Sequence, residues 1–127
     1  MTLFFDRNVG RGVPKALELL RLSVEYHDRH FGPRTKDDQW LAAIGDKGWV
    51  AVTCDERLRY NQSHLRALVG HKVGCFLICG AGSRPRWHMV RILAANWDEI
   101  EEICATEQVP YLYRLYLGRR PVRDYPK

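Results

Sequence analysis

The 127-residue chain lacks the long apolar run that a membrane crossing requires. No stretch approaches the roughly 18 consecutive apolar residues of a transmembrane helix. The basic region and cleavage site of a secretory signal are also missing, because Asp6 and Arg7 interrupt the first apolar segment almost at once. The sequence therefore predicts a cytoplasmic protein with no membrane partner.

Motifs for several common chemistries are absent as well. The four cysteines form no C-x-x-C pair, so we expect reduced core thiols rather than zinc ligands. The five histidines show no metal-ligand spacing, and no G-x-S-x-G sequence occurs. GAGSRPR lacks the G-K-[ST] of a phosphate-binding loop, and we expect it to form a strand-to-helix turn.

An excess of positive charge is present. Lys and Arg number 20 against 15 Asp and Glu, which gives a net charge of +5. Such an excess favours an anionic partner, nucleic acid first and an acidic protein second, although a generic soluble surface carries similar charge. Arginines stand beside aromatic residues in RPRWHMVR and YRLYLGRRPVRDYPK. The candidate contacts to an RNA backbone are Arg84, Arg86, Arg119 and Arg120.

Apolar strand-like segments alternate with amphipathic helical ones, which predicts a single α/β domain over residues 1–127. The expected strands are TLFF, residues 22–27, WVAVTC and KVGCFLIC, and YLYRLYL forms either a fifth strand or an extended arm. We expect a mostly parallel sheet of four to five strands, a core over about 2–107 and a basic aromatic C-terminal arm over 108–127.

Two predicted helices have recognisable ends. Thr35 is a plausible N-cap for the helix that contains TKDDQWLAAIGDKG, and Gly48 is expected to end it. Ser63 is expected to cap the next helix, which Gly70 would stop.

Carboxylates follow two of the predicted strands. Asp6 ends the first and Asp55 the third, so both should lie at the same edge of a parallel sheet. The helix that begins near Asp37 and Asp38 starts at that edge too. Taken singly, each acid could be only a turn former or a helix-capping residue. Together they predict a cluster of three chain-distant carboxylates.

Clustered carboxylates repel one another unless a cation neutralises them. Mg²⁺ or Mn²⁺ is the expected occupant, because hard ions prefer carboxylate oxygens. Asp38 could pair with Thr35 in a capping box, which makes Asp37 the better ligand. The secondary candidates are Asn8, Asp38 and Glu56. Such an ion would act on a scissile phosphate, so the sequence predicts a metal-dependent phosphodiesterase.

The segments FFDRN, TKDDQWLA and GWVAVTCDE resemble those of the PIN domain superfamily, specifically the short PIN-like toxins of the VapC type. The resemblance covers about residues 3–80 in order and spacing, and GSRPRWHMVRILAANWDEIEEI is also similar to this group. Many relatives have an acidic residue at the position of Arg7. They also have a further acid after the aspartate that corresponds to Asp55, and Glu56 is its counterpart in this chain.

The resemblance implies a three-layer α/β/α PIN-like sandwich with a metal-dependent ribonuclease site. It implies that Asp6, Asp37 and Asp55 are the catalytic and metal-binding acids, and that Asn8 is the Asn of a D-x-N pattern. It also implies RNA as substrate, a cognate antitoxin as partner, and a homodimer or a toxin–antitoxin hetero-oligomer.

Two other functions compete with a ribonuclease toxin. A non-catalytic PIN-like module could bind RNA or protein through the basic arm. Its affinity would depend on salt concentration and would not change when a chelator is added. A phospho-accepting receiver-like domain also uses strand-end aspartates. That design requires an acidic pair after the first strand and a lysine after a late one, and this chain has neither.

Overall fold

A computed structural model describes residues 1–82 and 84–127 as a six-stranded sheet between two layers of helices. Apolar runs rich in β-branched and aromatic residues form its central strands. The strands are β1 (Leu3–Phe5), β2 (Val24–Tyr26), β3 (Val50–Thr53), β4 (Gly74–Ile78), β5 (Tyr111–Leu115) and β6 (Val122–Tyr125). Their order is β2-β1-β3-β4-β5-β6, and every neighbouring pair is parallel except β5 and β6.

Helices connect the parallel strands. A short 3-10 helix (Arg7–Val9) follows β1 directly. The α-helices are α1 (Gly12–Leu19), α2 (His27–His30), α3 (Asp37–Lys47), α4 (Arg57–Tyr60), α5 (Gln62–Gly70), α6 (Arg86–Ala95) and α7 (Trp97–Thr106). The predicted turn in GAGSRPR includes Ser83, which lies outside the described residues.

The sheet is buried on both faces, as parallel sheets usually are. Phe5 and Phe76 point to the face that α1, α6 and α7 cover. Phe4 and Leu77 point to the opposite face, where they pack with Trp40, Ile44 and Leu68 of α3 and α5. The predicted three-layer α/β/α fold with a mostly parallel sheet is therefore confirmed.

The C-terminal segment differs from the prediction. Residues 108–127 were expected to form an arm or at most one strand, and four to five strands were expected in all. The segment instead contributes both β5 and β6, and β6 pairs antiparallel at the sheet edge. The sequence of β6 does not alternate regularly between apolar and polar residues. An edge strand buries little of its surface, so burial does not impose such a pattern on it.

Helix ends follow the sequence only in part. Gly48 ends α3 in the left-handed conformation with φ of 70°, as glycine at this position permits. The N-cap of α3 is Lys36 rather than Thr35, and the Gln39 side chain accepts a hydrogen bond from the Lys36 amide. Asn61 rather than Ser63 caps α5, since Asn61 Oδ1 accepts from the Ser63 amide at 3.0 Å. The predicted positions were wrong by one and two residues.

All four cysteines are free. Within the described residues, no helix combines the length and apolar character that a membrane crossing requires.

Candidate active site

Asp6 follows β1 directly, and the alternation of the strand turns its side chain to the same sheet face as Phe4, toward α3 and α5. The Thr53 hydroxyl donates to Asp6 Oδ2 at 2.9 Å. The Arg7 amide donates to Oδ1 at 2.6 Å, which makes Asp6 the N-cap of the 3-10 helix. Both carboxylate oxygens are thereby fixed in orientation.

Thr53 links two of the predicted acids. Its hydroxyl donates to Asp6 and accepts a hydrogen bond from the Asp55 amide at 3.1 Å. The residue is only 3% exposed, so this bridge is part of the core at the end of β3. Thr53 was not among the site residues predicted from the sequence. The signal that could have done so is a hydroxyl two residues before a strand-end aspartate.

Asp37 and Asp38 begin α3 but have different partners. Asp37 Oδ1 accepts a hydrogen bond from Trp40 Nε1 at 3.1 Å. This contact, made within one helical turn, fixes the orientation of the Asp37 carboxylate. Asp38 Oδ1 lies 2.8 Å from His71 Nε2, and its side chain is 73% exposed. Asp38 makes no capping-box contact with Thr35, because the helix begins one residue later than predicted.

The three principal candidates line one cavity of about 200 Å³. Asp6, Asp37 and Asp55 come from three different segments that meet beside the carboxyl ends of β1 and β3. Apolar side chains of α3, α4 and α5 form much of the remaining wall, namely Trp40, Leu41, Leu58, Ala67 and Leu68. The cavity therefore combines a carboxylate rim with a largely apolar interior.

Burial dominates the electrostatics of Asp6. It raises the pKa of the carboxyl above its usual value, and the negative charge of Asp37 raises it further. The hydrogen bonds from Thr53 and the Arg7 amide act in the opposite direction but do not compensate. An ionised Asp6 is thus poorly solvated and lacks a sufficient positive partner.

Asp55 has such a partner in Arg57. Arg57 Nε lies 2.9 Å from Asp55 Oδ1, and Nη2 lies 2.5 Å from Oδ2, so the contact is bidentate. This hydrogen bonding lowers the pKa of Asp55 and raises that of Arg57. The charges of Asp37 and Asp6 also raise the pKa of Arg57. The Arg57 guanidinium therefore interacts electrostatically with all three carboxylates, and it was not predicted from the sequence.

The donor chemistry fits a hard divalent cation, because four carboxylates line one cavity and the charge of an ionised Asp6 is not balanced by its neighbours. The side-chain arrangement is not that of a closed metal site. Across residues 1–82 and 84–127, no group of three or more His, Cys, Asp or Glu is positioned to hold an ion. Arg57 contacts both carboxylate oxygens of Asp55, so this ion pair must open before Asp55 can bind an ion.

Two of the secondary candidates, Asn8 and Glu56, lie close to the ends of β1 and β3. Asn8 Oδ1 accepts from the Cys54 amide at 3.3 Å, which joins the loop after β1 to the end of β3. Glu56 is the N-cap residue of α4 and borders a separate cavity with Cys54 and Gly80. Neither side chain lines the cavity of the aspartates, whereas Asp38, the remaining secondary candidate, does line it.

The four candidate arginines fall into two groups. Arg86 Nη1 donates to the backbone carbonyls of Asn8 and Val9 at 2.9 and 2.8 Å, so it supports the loop after Asp6. Arg84 and Arg119 line one cavity at the carboxyl ends of β4 and β5, and Arg120 borders the next. Positive charge therefore lies at the same sheet edge as the carboxylates.

His64 is a further residue that the sequence did not single out. It lines the carboxylate cavity, and its Nε2 lies 3.8 Å from Asp37 Oδ2. No sequence signal predicted this proximity, because it depends on how α5 packs against α3.

Comparison with protein families gives one match, in which residues 1–80 fit the family model described as PIN like domain. The matched region contains the four cavity-lining aspartates, Asp6, Asp37, Asp38 and Asp55, together with Thr53 and Arg57. Comparisons with curated proteins and with solved structures find no match.

Proposed function

The chain belongs to the PIN-like domain family, and from this we propose that it is a metal-dependent endoribonuclease that acts as the toxin of a toxin–antitoxin pair. The family is typically a nuclease fold. The observation that carries the proposal is the convergence of Asp6, Asp37 and Asp55 on one cavity at the carboxyl edge of the sheet.

In this proposal Asp6, Asp37 and Asp55 hold Mg²⁺ or Mn²⁺. When bound, such an ion polarises the scissile phosphate and lowers the pKa of an attacking water. The Thr53 hydroxyl orients Asp6, and the Trp40 indole orients Asp37. Both contacts hold the carboxylates in place before substrate arrives, which reduces the cost of assembling the site.

RNA is proposed as the substrate because the chain carries a net charge of +5 and Arg84 and Arg119 share an edge with the acids. The toxin role, and with it a cognate antitoxin and a homodimer or toxin–antitoxin hetero-oligomer, rests on the resemblance of the sequence motifs to short PIN-like toxins. A cytoplasmic location is proposed with it.

The direct test is metal removal. We expect single-stranded RNA to be cleaved in Mn²⁺ or Mg²⁺, and cleavage to stop when excess chelator is added and to return with fresh metal. Gel analysis of end-labelled RNA measures this. Cleavage that persists in chelator would overturn the metal mechanism. RNA binding without cleavage in either metal would favour the alternative, a non-catalytic RNA-binding module.

Arg57 gives a second test, because its guanidinium and a cation compete for Asp55. Replacing Arg57 with Gln is expected to tighten Mn²⁺ binding by about tenfold. Calorimetric titration of the chelator-treated protein measures the change. Arg59→Gln removes the same charge from α4, where Arg59 instead stacks on Tyr60, and serves as the control. Equal affinities in all three proteins would show that Arg57 does not compete.

A further inference from the structure

A second cavity at the carboxyl edge of the sheet is distinct from the one that the aspartates line. It measures about 310 Å³ and lies where β4 and β5 end. Arg84, His88 and Arg119 line it, together with Gly80 and Tyr116. No carboxylate borders this cavity among the described residues, so its polar lining is predominantly cationic.

The two arginines are available to a ligand. Within the described part of the chain, neither Arg84 nor Arg119 forms an ion pair with a carboxylate. The Arg119 guanidinium stacks over the Tyr116 ring, 4.6 Å from its centroid. This contact restricts the position of the guanidinium, and a guanidinium can bind an oxyanion through two N–H groups at once.

His88 adds a hydrogen-bonding group to this cavity. The residue is only 6% exposed, and it lines the cavity beside Arg84. Burial, together with the charges of Arg84 and Arg91, lowers its pKa, so the imidazole is neutral at pH 7 and has one N–H to donate. Because the ring lines the cavity, this N–H can donate to a ligand oxygen there.

Helix α6 adds a favourable field. It is ten residues long, begins at Arg86, and contributes His88 from its first turn. The first amides of a helix have no intrahelical acceptor, and the helix dipole places partial positive charge there. Two arginines, a buried imidazole and a helix N-terminus together match the oxygens and charge of a phosphate group.

We propose that the cavity of Arg84, His88 and Arg119 is a phosphate subsite that binds a phosphate group of the RNA strand beside the one to be cleaved. This inference rests on the proposed function for the identity of the strand. A groove bordered by Cys54, Glu56 and Gly80 joins the ends of β3 and β4, and Gly80 also lines the phosphate subsite. Neighbouring strands lie about 4.8 Å apart, so consecutive strand ends place the two sites along one edge.

The test measures binding without cleavage. Fluorescence anisotropy in excess chelator is recorded for a 3′-labelled single-stranded oligoribonucleotide, bearing either a 5′-phosphate or a 5′-hydroxyl, over a salt series. We expect Arg84→Gln and Arg119→Gln each to weaken binding about tenfold and to reduce the salt slope by about 0.7, the value for one phosphate contact on a single strand. Arg21→Gln removes the same charge beyond the opposite sheet edge and should leave binding close to that of the parent.

The two RNA ends identify the source of the phosphate. Tighter binding of the 5′-phosphorylated RNA, lost in Arg119→Gln, assigns the subsite to a terminal phosphomonoester. Equal binding of both RNAs, weakened in Arg119→Gln, assigns it to an internal phosphodiester. If both arginine variants bind RNA as tightly as Arg21→Gln, the subsite is wrong. Because this assay contains no metal, it can fail while Mn²⁺-dependent cleavage succeeds, and the reverse also holds.

Discussion

Replacing Asp6 with asparagine is expected to abolish RNA cleavage and to leave the fold at least as stable as that of the parent chain at pH 7. Loss of even an outer-shell partner of a metal site typically reduces activity by 10- to 100-fold. Removal of a carboxylate that contacts the ion should therefore reduce the cleavage rate by more than about 100-fold. The rate is measured on end-labelled RNA in saturating Mn²⁺.

The stability part of this prediction follows from burial. The pKa of Asp6 is raised in the folded protein, so its ionised form destabilises the fold. Below the ordinary Asp pKa of 3.8, the carboxyl is protonated in both folded and unfolded states and has no effect. As the pH rises above 3.8 and through the raised pKa of Asp6 in the folded state, the free energy of unfolding of the parent decreases. The Asn variant has no carboxyl at this position and does not undergo that decrease.

Thermal unfolding at several pH values measures that difference. We expect the Tm of Asp6→Asn to exceed that of the parent at pH 7, and the two to converge near pH 3. Asp46→Asn makes the same chemical change at an exposed site on α3 and should alter neither Tm nor cleavage. If the Asp6→Asn variant retained cleavage, Asp6 would not be an active-site residue. A lower Tm at pH 7 would show that its hydrogen bonds outweigh its burial.

Replacing Gly45 with alanine is expected to destabilise the protein by about 2–3 kcal/mol, within the range of severe overpacking. Alanine normally favours a helix over glycine by about 1 kcal/mol. Here the added Cβ would meet the backbone carbonyl oxygen of His71 at a distance that no real contact allows. A backbone group after α5 cannot rotate away, so α3 and α5 must separate.

Chemical denaturation measures this effect, and Gly70→Ala is the matched control. Nothing lies within 4 Å of a Cβ at Gly70, so that variant should be equal to or slightly more stable than the parent. Because α3 and α5 both line the carboxylate cavity, Gly45→Ala should also slow cleavage. Equal stability of the two variants would mean that the helices adjust without cost.

The sequence predicted the layers of the fold because hydrophobic periodicity is a local property. Continuous apolar segments such as WVAVTC indicated strands covered on both faces, and they alternate with helices in the structure. The strand-end positions of Asp6 and Asp55 then followed from topology alone, since parallel strands share a carboxyl edge. β6 was missed because it lies at the edge, where little burial imposes a pattern.

The pairing of side chains within the site was decided only by tertiary structure. The sequence showed that Asp6, Asp37 and Asp55 reach one edge, but not that Thr53 bridges two of them or that Trp40 orients the third. The Arg57 ion pair with Asp55 and the packing of His64 beside Asp37 depend on rotamers and helix positions set by distant contacts. Local patterns determine where a charged residue lies along the chain, whereas its partner depends on the packing of the whole core.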